Sequence, residues 1–324
     1  MVADIWTVKR ILDWIEGYLA QHDDENARLS AQWLVSEALG ISRMQLFLDL
    51  ERPLTEEERA TLRDWTRRRA AGEPLQYITG EVAFRHITVK VRPGVLIPRP
   101  ETEVLVSEAL ALLPAPPKPQ DDYDEEIIKQ FVELGGMLDE QGTDATESLE
   151  KDSFLVADIC TGTGCIACSI ACEHPRTSII ATDLSPDAVA LARDNVNQLG
   201  LESRVEVLEC NLGDGIDSSL MGCFDLVVSN PPYIPTAVLS GLSREVSEYE
   251  PALALDGGED GLAIYRSLLS WCAQALAPDG AFAFELHEEC LEQAAAEAEE
   301  AGFSDVRIVN DLAKRPRILV GRKR

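Results

Sequence analysis

The tetrapeptide Asn230-Pro231-Pro232-Tyr233 carries the most specific chemistry in this 324-residue chain. It follows the apolar residues 224–229, which we predict to form a strand, and strand ends of open α/β sheets face the ligand crevice. Prolines donate no hydrogen bond and stiffen the turn, which leaves the Asn230 side-chain oxygen and the Pro231 carbonyl as fixed acceptors. Two acceptors match the two N–H bonds of a planar amide or exocyclic amine. A turn without a chemical role is the alternative.

A glycine-bearing turn follows another predicted strand, at residues 158–164. Gly162 and Gly164 would let the backbone approach a ligand closely. The dinucleotide motif G-x-G-x-x-G is incomplete, because Cys168 occupies the place of its third glycine, and the chain contains no P-loop motif. The turn therefore predicts a nucleotide-like ligand only in combination with other residues.

Asp183 supplies such a combination, since it ends the next predicted strand, 19 residues after Gly164. A carboxylate at this place can accept hydrogen bonds from both hydroxyls of a ribose. Asp183 could instead cap the helix that begins at Pro186, a role that Ser185 could also fill. Together with the glycine turn, Asp183 indicates an adenosine ligand.

Three of the eight cysteines (Cys160, Cys165 and Cys168) have spacing that resembles part of an iron–sulfur ligand pattern. However, Cys165, Cys168 and Cys172 fall on one face of a helix, where cysteine behaves as a small apolar residue. We therefore predict free thiols and no metal site. The four histidines also lack paired metal-ligand spacing.

The chain divides into three predicted parts. Residues 1–72 have helical periodicity and should form a small helical bundle, whereas residues 73–100 contain strand-like alternation and should form a β-hairpin linker. Residues 101–324 alternate strands and helices, which predicts a doubly wound parallel α/β sheet. An acidic, proline-rich insertion at 114–153 interrupts this part; we interpret it as a solvated loop, with a short helix near 127–138 as the alternative.

The predicted elements of the third part follow the apolar periodicity. Strands are expected at 154–159, 178–183, 204–210, 224–229 and 281–286, and helices at 101–113, 164–173, 186–199, 258–277 and 288–301, before two closing strands.

The net charge of −28 argues against a protein that binds long stretches of nucleic acid, which requires a basic surface. The hydrophobic fraction of 45% is that of a globular protein. Residues 1–10 lack a signal-peptide pattern, and no run of about 18 apolar residues occurs. We expect a cytoplasmic protein that binds neither membranes nor stable nucleic acid.

The chain resembles the S-adenosylmethionine-dependent methyltransferases that modify planar nitrogens. More narrowly, it resembles the protein-(glutamine-N5) methyltransferases of the HemK/PrmC type, which modify peptide chain release factors and so tune translation termination. The resemblance rests on residues 74–80, 84, 96–103, 158–164, 230–233, 258–262 and 317–322. It implies a Rossmann-like sheet with an N-terminal helical, substrate-docking domain.

The resemblance also implies roles for individual residues. The methionine end of S-adenosylmethionine is assigned to Cys160, Thr161, Gly162, Thr163 and Gly164. Asp183 would hold the ribose, and Leu212 would lie beside the adenine. Asn230, Pro231, Pro232 and Tyr233 would hold the glutamine amide and carry the catalysis, with Asn230 also beside the cofactor. Arg99 and Glu101 would border the same pocket, and Phe84 would line it.

The expected reaction yields S-adenosylhomocysteine by direct methyl transfer without a dedicated general base. We expect the enzyme to be a monomer whose partner is a release factor with a basic surface. A ribosomal-protein glutamine methyltransferase and a nucleic-acid adenine N6-methyltransferase are alternative enzymes. An adenosine-binding interaction module is the non-enzymatic alternative, but it would leave the Asn-Pro-Pro-Tyr turn without a purpose.

Overall fold

The N-terminal residues fold into a helical bundle, as their periodicity predicts. The computed structural model describes residues 5–115 and 153–324. The helices are α1 (Val8–Ala20), α2 (Ala27–Leu39), α3 (Arg43–Leu48), α4 (Glu56–Ala70) and α5 (Leu75–Thr79). Thr55 and Glu58 form the capping box that begins α4. Buried Ile78 belongs to the same apolar core as Val8 and Leu34, so the bundle extends past residue 72.

A two-stranded hairpin follows the bundle. Strands β1 (Glu81–Phe84) and β2 (Ile87–Lys90) pair antiparallel. Their alternation breaks at Arg85, whose φ of +50° makes the turn. An extended segment then leads into α6 (Thr102–Leu112), where the proline-rich sequence predicts the start of a helix.

The rest of the chain forms a seven-stranded sheet in the order β5-β4-β3-β6-β7-β9-β8. The strands are β3 (Phe154–Ile159), β4 (Thr177–Asp183), β5 (Val205–Glu209), β6 (Phe224–Ser229), β7 (Leu276–Glu285), β8 (Phe303–Asn310) and β9 (Pro316–Lys323). The intervening helices are α7 (Cys165–Glu173), α8 (Pro186–Gln198), α9 (Arg244–Tyr249), α10 (Ala263–Ala275) and α11 (Leu291–Glu300).

Helices cover both faces of this sheet, which confirms the doubly wound α/β class. Residues of α6, α7 and α8 pack on one face, and residues of α10 and α11 pack on the other. Within β3, Val156 joins the first of these cores, whereas Ala157 and Ile159 join the second. This alternation is the expected consequence of a strand that is buried on both sides.

The structure differs from the sequence prediction in two details. The sheet is not wholly parallel, because β8 and β9 are joined by a short loop and pair as a hairpin, which places β9 antiparallel to β7. The helix expected from residue 258 begins only at Ala263, since Gly258 and Gly261 adopt φ values of +86° and +76° in a preceding turn. The helix considered near 127–138 lies outside the described residues.

Within residues 5–115 and 153–324, every helix is too short or too polar to cross a lipid bilayer.

Candidate active site

A cavity of about 500 Å³ opens at the carboxyl ends of β3, β4 and β6. Its walls come from the segment before α6, from the turns after these three strands, and from the loop after α9. Ser229 holds the ends of β6 and β3 together, because its hydroxyl donates to the Ile159 carbonyl at 2.6 Å. Ligands bind at such strand ends in open α/β sheets, so this cavity is the candidate site.

The glycine turn between β3 and α7 forms one wall of the cavity. Gly162 and Gly164 have φ values of +58° and +78°, which side-chain-bearing residues rarely adopt. A Cβ atom on Gly164 would lie 3.2 Å from Cβ of Ala192 in α8, so glycine also permits close helix packing. The chain thus keeps glycine where the turn bends and where the helix begins.

Asp158 supports this turn from below. Its Oδ2 accepts hydrogen bonds from the Thr161 hydroxyl at 2.6 Å and from the Ala167 N–H at 3.1 Å. Complete burial raises the pKa of Asp158 to about 7, against the opposing effect of these two donors. Within the described part of the chain, Asp158 Oδ1 is buried without a hydrogen-bond partner.

Asp183 lines the cavity at the end of β4. Its carboxylate accepts from the Gly162 N–H at 2.8 Å and from the Ser185 N–H at 2.9 Å. Ser185 caps α8, since its hydroxyl accepts from the Ala188 N–H. Burial raises the pKa of Asp183, whereas its backbone donors lower it. Asp183 therefore fixes the glycine turn, and its carboxylate retains further acceptor capacity toward the cavity.

The Asn230 side chain is oriented by residues from distant parts of the sequence. Its Nδ2 donates to the Thr102 hydroxyl oxygen at 3.2 Å, and Thr102 donates to Glu285 Oε2 at 2.7 Å. The Tyr233 hydroxyl donates to the other oxygen of Glu285 at 3.0 Å. Asn230 lines the cavity, and because its Nδ2 donates to Thr102, its Oδ1 is left as the acceptor of this side chain.

Arg99 lines the cavity but its charge is paired. Its guanidinium donates to Glu250, a buried carboxylate that also accepts from the Ile97 N–H at 3.5 Å. Burial raises the pKa of Glu250, and the Arg99 charge opposes that rise. The pair attaches the segment before α6 to the segment after α9, so Arg99 shapes the cavity wall.

The structure brings most of the predicted site residues together. The cavity is lined by Arg99, Cys160, Thr161, Gly162, Thr163, Asp183, Asn230 and Pro232. Gly164 caps α7 at the edge of this group, and Pro231 is buried beneath the turn. Tyr233 packs against the apolar core beside the turn, and its hydroxyl donates to Glu285.

Three predicted residues lie elsewhere. Phe84 does not line the cavity: it is 1% exposed in the core between the hairpin and the sheet. Glu101 lies at the start of α6 near Arg315, with 3.7 Å between their charged atoms. Leu212 does not line the cavity: it packs against the core, its φ is +47°, and its carbonyl accepts from the Thr182 hydroxyl. Leu184, which follows Asp183, lines the cavity instead.

Thr102 and Glu285 were not predicted as site residues. Thr102 lies within the segment 96–103 and Glu285 within the strand expected at 281–286, but their hydrogen bond joins residues that are 183 positions apart. The available signal was the acidic Glu285 directly after the apolar residues 281–284 of β7, since an isolated carboxylate is costly to bury.

Two of the three cysteines of α7 behave as small apolar residues, whereas Cys172 is exposed. Cys165 and Cys168 are buried in the core, and burial raises the pKa of both thiols, that of Cys165 to about 12. In the part of the chain that the structure describes, there is no cluster of three or more His, Cys, Asp or Glu residues that could hold a metal ion.

Comparison with known proteins identifies two family models in the chain. Residues 10–80 match the PrmC N-terminal domain, and residues 137–240 match the methyltransferase small domain. A release factor glutamine methyltransferase from Geobacter sulfurreducens is 38% identical, over 98% of each chain. Enzymes of the same name from Caulobacter vibrioides and Chlorobaculum tepidum are 36% and 35% identical, over 91% and 96% of this chain and 89% and 95% of theirs. This protein therefore belongs to the release factor glutamine methyltransferase family.

Proposed function

We propose that this enzyme transfers a methyl group from S-adenosylmethionine to the side-chain amide nitrogen of a glutamine in a peptide chain release factor. The observation that carries the proposal is the orientation of Asn230, which presents a fixed acceptor at the wall of the cavity. Family membership favours a release factor over a ribosomal protein as the substrate, because the relatives are named release factor glutamine methyltransferases and match this chain over nearly their full lengths.

The cavity has the features that S-adenosylmethionine requires. Its volume suits a ligand of this size, and apolar residues such as Val95, Ile97 and Leu184 supply walls for a flat base. Asp183 offers acceptors for ribose hydroxyls, and the buried, unpartnered Asp158 Oδ1 lies behind the glycine turn.

In this assignment, the turn of residues 160–164 holds the methionine end, Asp183 holds the ribose, and Leu184 contacts the base. When bound, S-adenosylmethionine supplies an electrophilic methyl group on a sulfonium centre. Asn230 lines the same cavity as this turn, so the glutamine amide would be held beside the methyl group.

The protein's main task in the reaction is to position a weak nucleophile. An amide nitrogen attacks poorly, because its lone pair is delocalised into the carbonyl. Asn230 Oδ1 and the Pro231 carbonyl would each accept one of its N–H bonds, which fixes the direction of attack. The same acceptors stabilise the positive charge that builds on nitrogen as the new N–C bond forms. One N–H proton then leaves to solvent, and no side chain is assigned as a general base.

The helical domain of α1–α5 is proposed to dock the protein substrate. Its surface carries exposed large apolar side chains, including Trp14, Trp33 and Phe47. The domain is attached to the sheet domain near the cavity, because Arg69 pairs with Glu245 and the Tyr249 hydroxyl donates to the Ala71 carbonyl at 3.1 Å. A purely structural cap is the alternative role.

The direct test of the site is Asn230→Ala, compared with the wild-type enzyme at saturating cofactor. We expect turnover to fall by about 100-fold or more, since one of the two orienting acceptors is lost, while cofactor binding persists. Turnover is measured as radiolabelled methyl transfer to purified release factor, and binding by calorimetry with S-adenosylhomocysteine. Unchanged turnover would remove Asn230 from the proposal.

A further inference from the structure

Glu285 is a buried carboxylate that does not itself line the cavity. It is the last residue of β7 and is 1% exposed. Its two oxygens accept one hydroxyl each, from Thr102 and from Tyr233. Hydrogen bonds therefore connect Glu285 to both ends of the Asn-Pro-Pro-Tyr turn. The bond to Tyr233 is direct, and the connection to Asn230 runs through Thr102.

The direction of these hydrogen bonds follows from the chemistry of a carboxylate. An ionised carboxylate only accepts, so Thr102 must give its single hydroxyl proton to Glu285. The Thr102 oxygen can then only accept, and Asn230 must offer it the Nδ2 group. Burial raises the pKa of Glu285 overall, and the two hydroxyl donors and the Arg317 guanidinium act against that rise.

A Thr102 hydroxyl without this acceptor would be free to turn. It could then donate to Asn230 Oδ1, and the Asn230 amide would rotate to match it. The rotated amide would present Nδ2 to the cavity. Nδ2 is a donor, so it could not accept a hydrogen bond from the NH2 group of a glutamine. The same donor would suit the oxygen of a glutamate carboxylate.

We propose that Glu285 is a positioning residue which, through Thr102, keeps Asn230 as an acceptor and so makes the site select a glutamine amide over a glutamate carboxylate. The inference rests on the proposed function. A glutamine offers two N–H donors to the two acceptors of the turn, whereas a glutamate carboxylate offers none and is repelled by them. Mismatched polar groups in a dry site give strong discrimination.

The experiment compares Thr102→Val, Thr102→Ser and Glu285→Leu, which removes the acceptor of the Thr102 hydroxyl, with the wild-type enzyme. Two quantities are measured for each: kcat on the release factor at saturating cofactor, and the ratio of Kd values for release factors with glutamine or glutamate at the modified position. The Kd values are measured with S-adenosylhomocysteine bound, so that no turnover occurs. Thr177→Val is the matched control, because Thr177 is equally buried and donates to the His174 carbonyl at the opposite end of β4.

The wild-type enzyme should prefer glutamine by at least about tenfold in Kd. Thr102→Val and Glu285→Leu should lower kcat by about 100-fold and bring the Kd ratio close to one. Thr102→Ser keeps the hydroxyl and should recover most of kcat and of the preference, and Thr177→Val should change neither. A loss of packing alone would lower kcat or stability without changing the Kd ratio.

The inference is overturned if Thr102→Val or Glu285→Leu keeps the wild-type Kd ratio, or if the wild-type enzyme has no preference. Should Thr102→Val fail to fold, as judged by circular dichroism, the ratio for Glu285→Leu decides. Failure of the proposed function looks different, because the wild-type enzyme itself would then transfer no methyl group to the release factor. If Asn230→Ala loses turnover while both other variants keep the preference, only the role of Glu285 is wrong.

Discussion

Replacing Gly164 by alanine tests how tightly the glycine turn is constrained. The residue has a φ of +78°, and an added Cβ would lie 3.2 Å from Cβ of Ala192. The left-handed conformation costs a side-chain-bearing residue about 1 kcal/mol. Moving α8 away from the new methyl group adds about 2 kcal/mol of overpacking. We therefore expect Gly164→Ala to lower the free energy of unfolding by about 3 kcal/mol.

Gly200→Ala is the matched control for the steric part of this loss. Gly200 has a similar φ of +68°, but nothing lies within 4 Å of the Cβ that alanine would add. This variant should lose only about 1 kcal/mol. Urea unfolding measures both losses, and calorimetry with S-adenosylhomocysteine should show weaker binding for Gly164→Ala alone. Equal losses of stability, or unchanged binding, would refute the account of the turn.

Two further predictions concern pH and salt. Burial raises the pKa of Asp158 from its ordinary value of 3.8 to about 7 in the folded protein, so the native state binds the extra proton and stability falls as pH rises between these values. Asp158→Asn removes this fall, and its free energy of unfolding relative to wild type should rise by several kcal/mol between pH 4 and pH 8; a constant difference would contradict the burial of a neutral Asp158. Residues 154–324 carry 27 acidic and 12 basic side chains. The association rate with a basic release factor, measured by stopped flow, should therefore fall steeply as the salt concentration rises. An association rate that does not depend on salt would exclude electrostatic steering.

The sequence was sufficient to predict the elements that position the site, because each is encoded locally. Apolar runs such as Phe224–Ser229 predict strands, and the glycines and prolines that follow predict turns at strand ends. The position of β9 was not predictable in this way. It depends on which edge the closing hairpin adds to, and that edge is set by long-range pairing with β7.

The side-chain geometry of the site was harder to predict. The alternation of β1 identifies Phe84 as buried, but it does not distinguish a core position from a cavity wall. The positive φ of Leu212 is unusual for leucine, and no local sequence signal predicts it. The Thr102–Glu285 hydrogen bond joins the start of α6 to the end of β7, so only the assembled fold reveals it.

The measurement that tests the central claim most directly is mass spectrometry of a release factor incubated with this enzyme and S-adenosylmethionine. The account predicts one added methyl group on a glutamine side-chain amide, with no addition when that glutamine is replaced. Methylation of a different residue type, or of DNA or a ribosomal protein in place of the release factor, would contradict it.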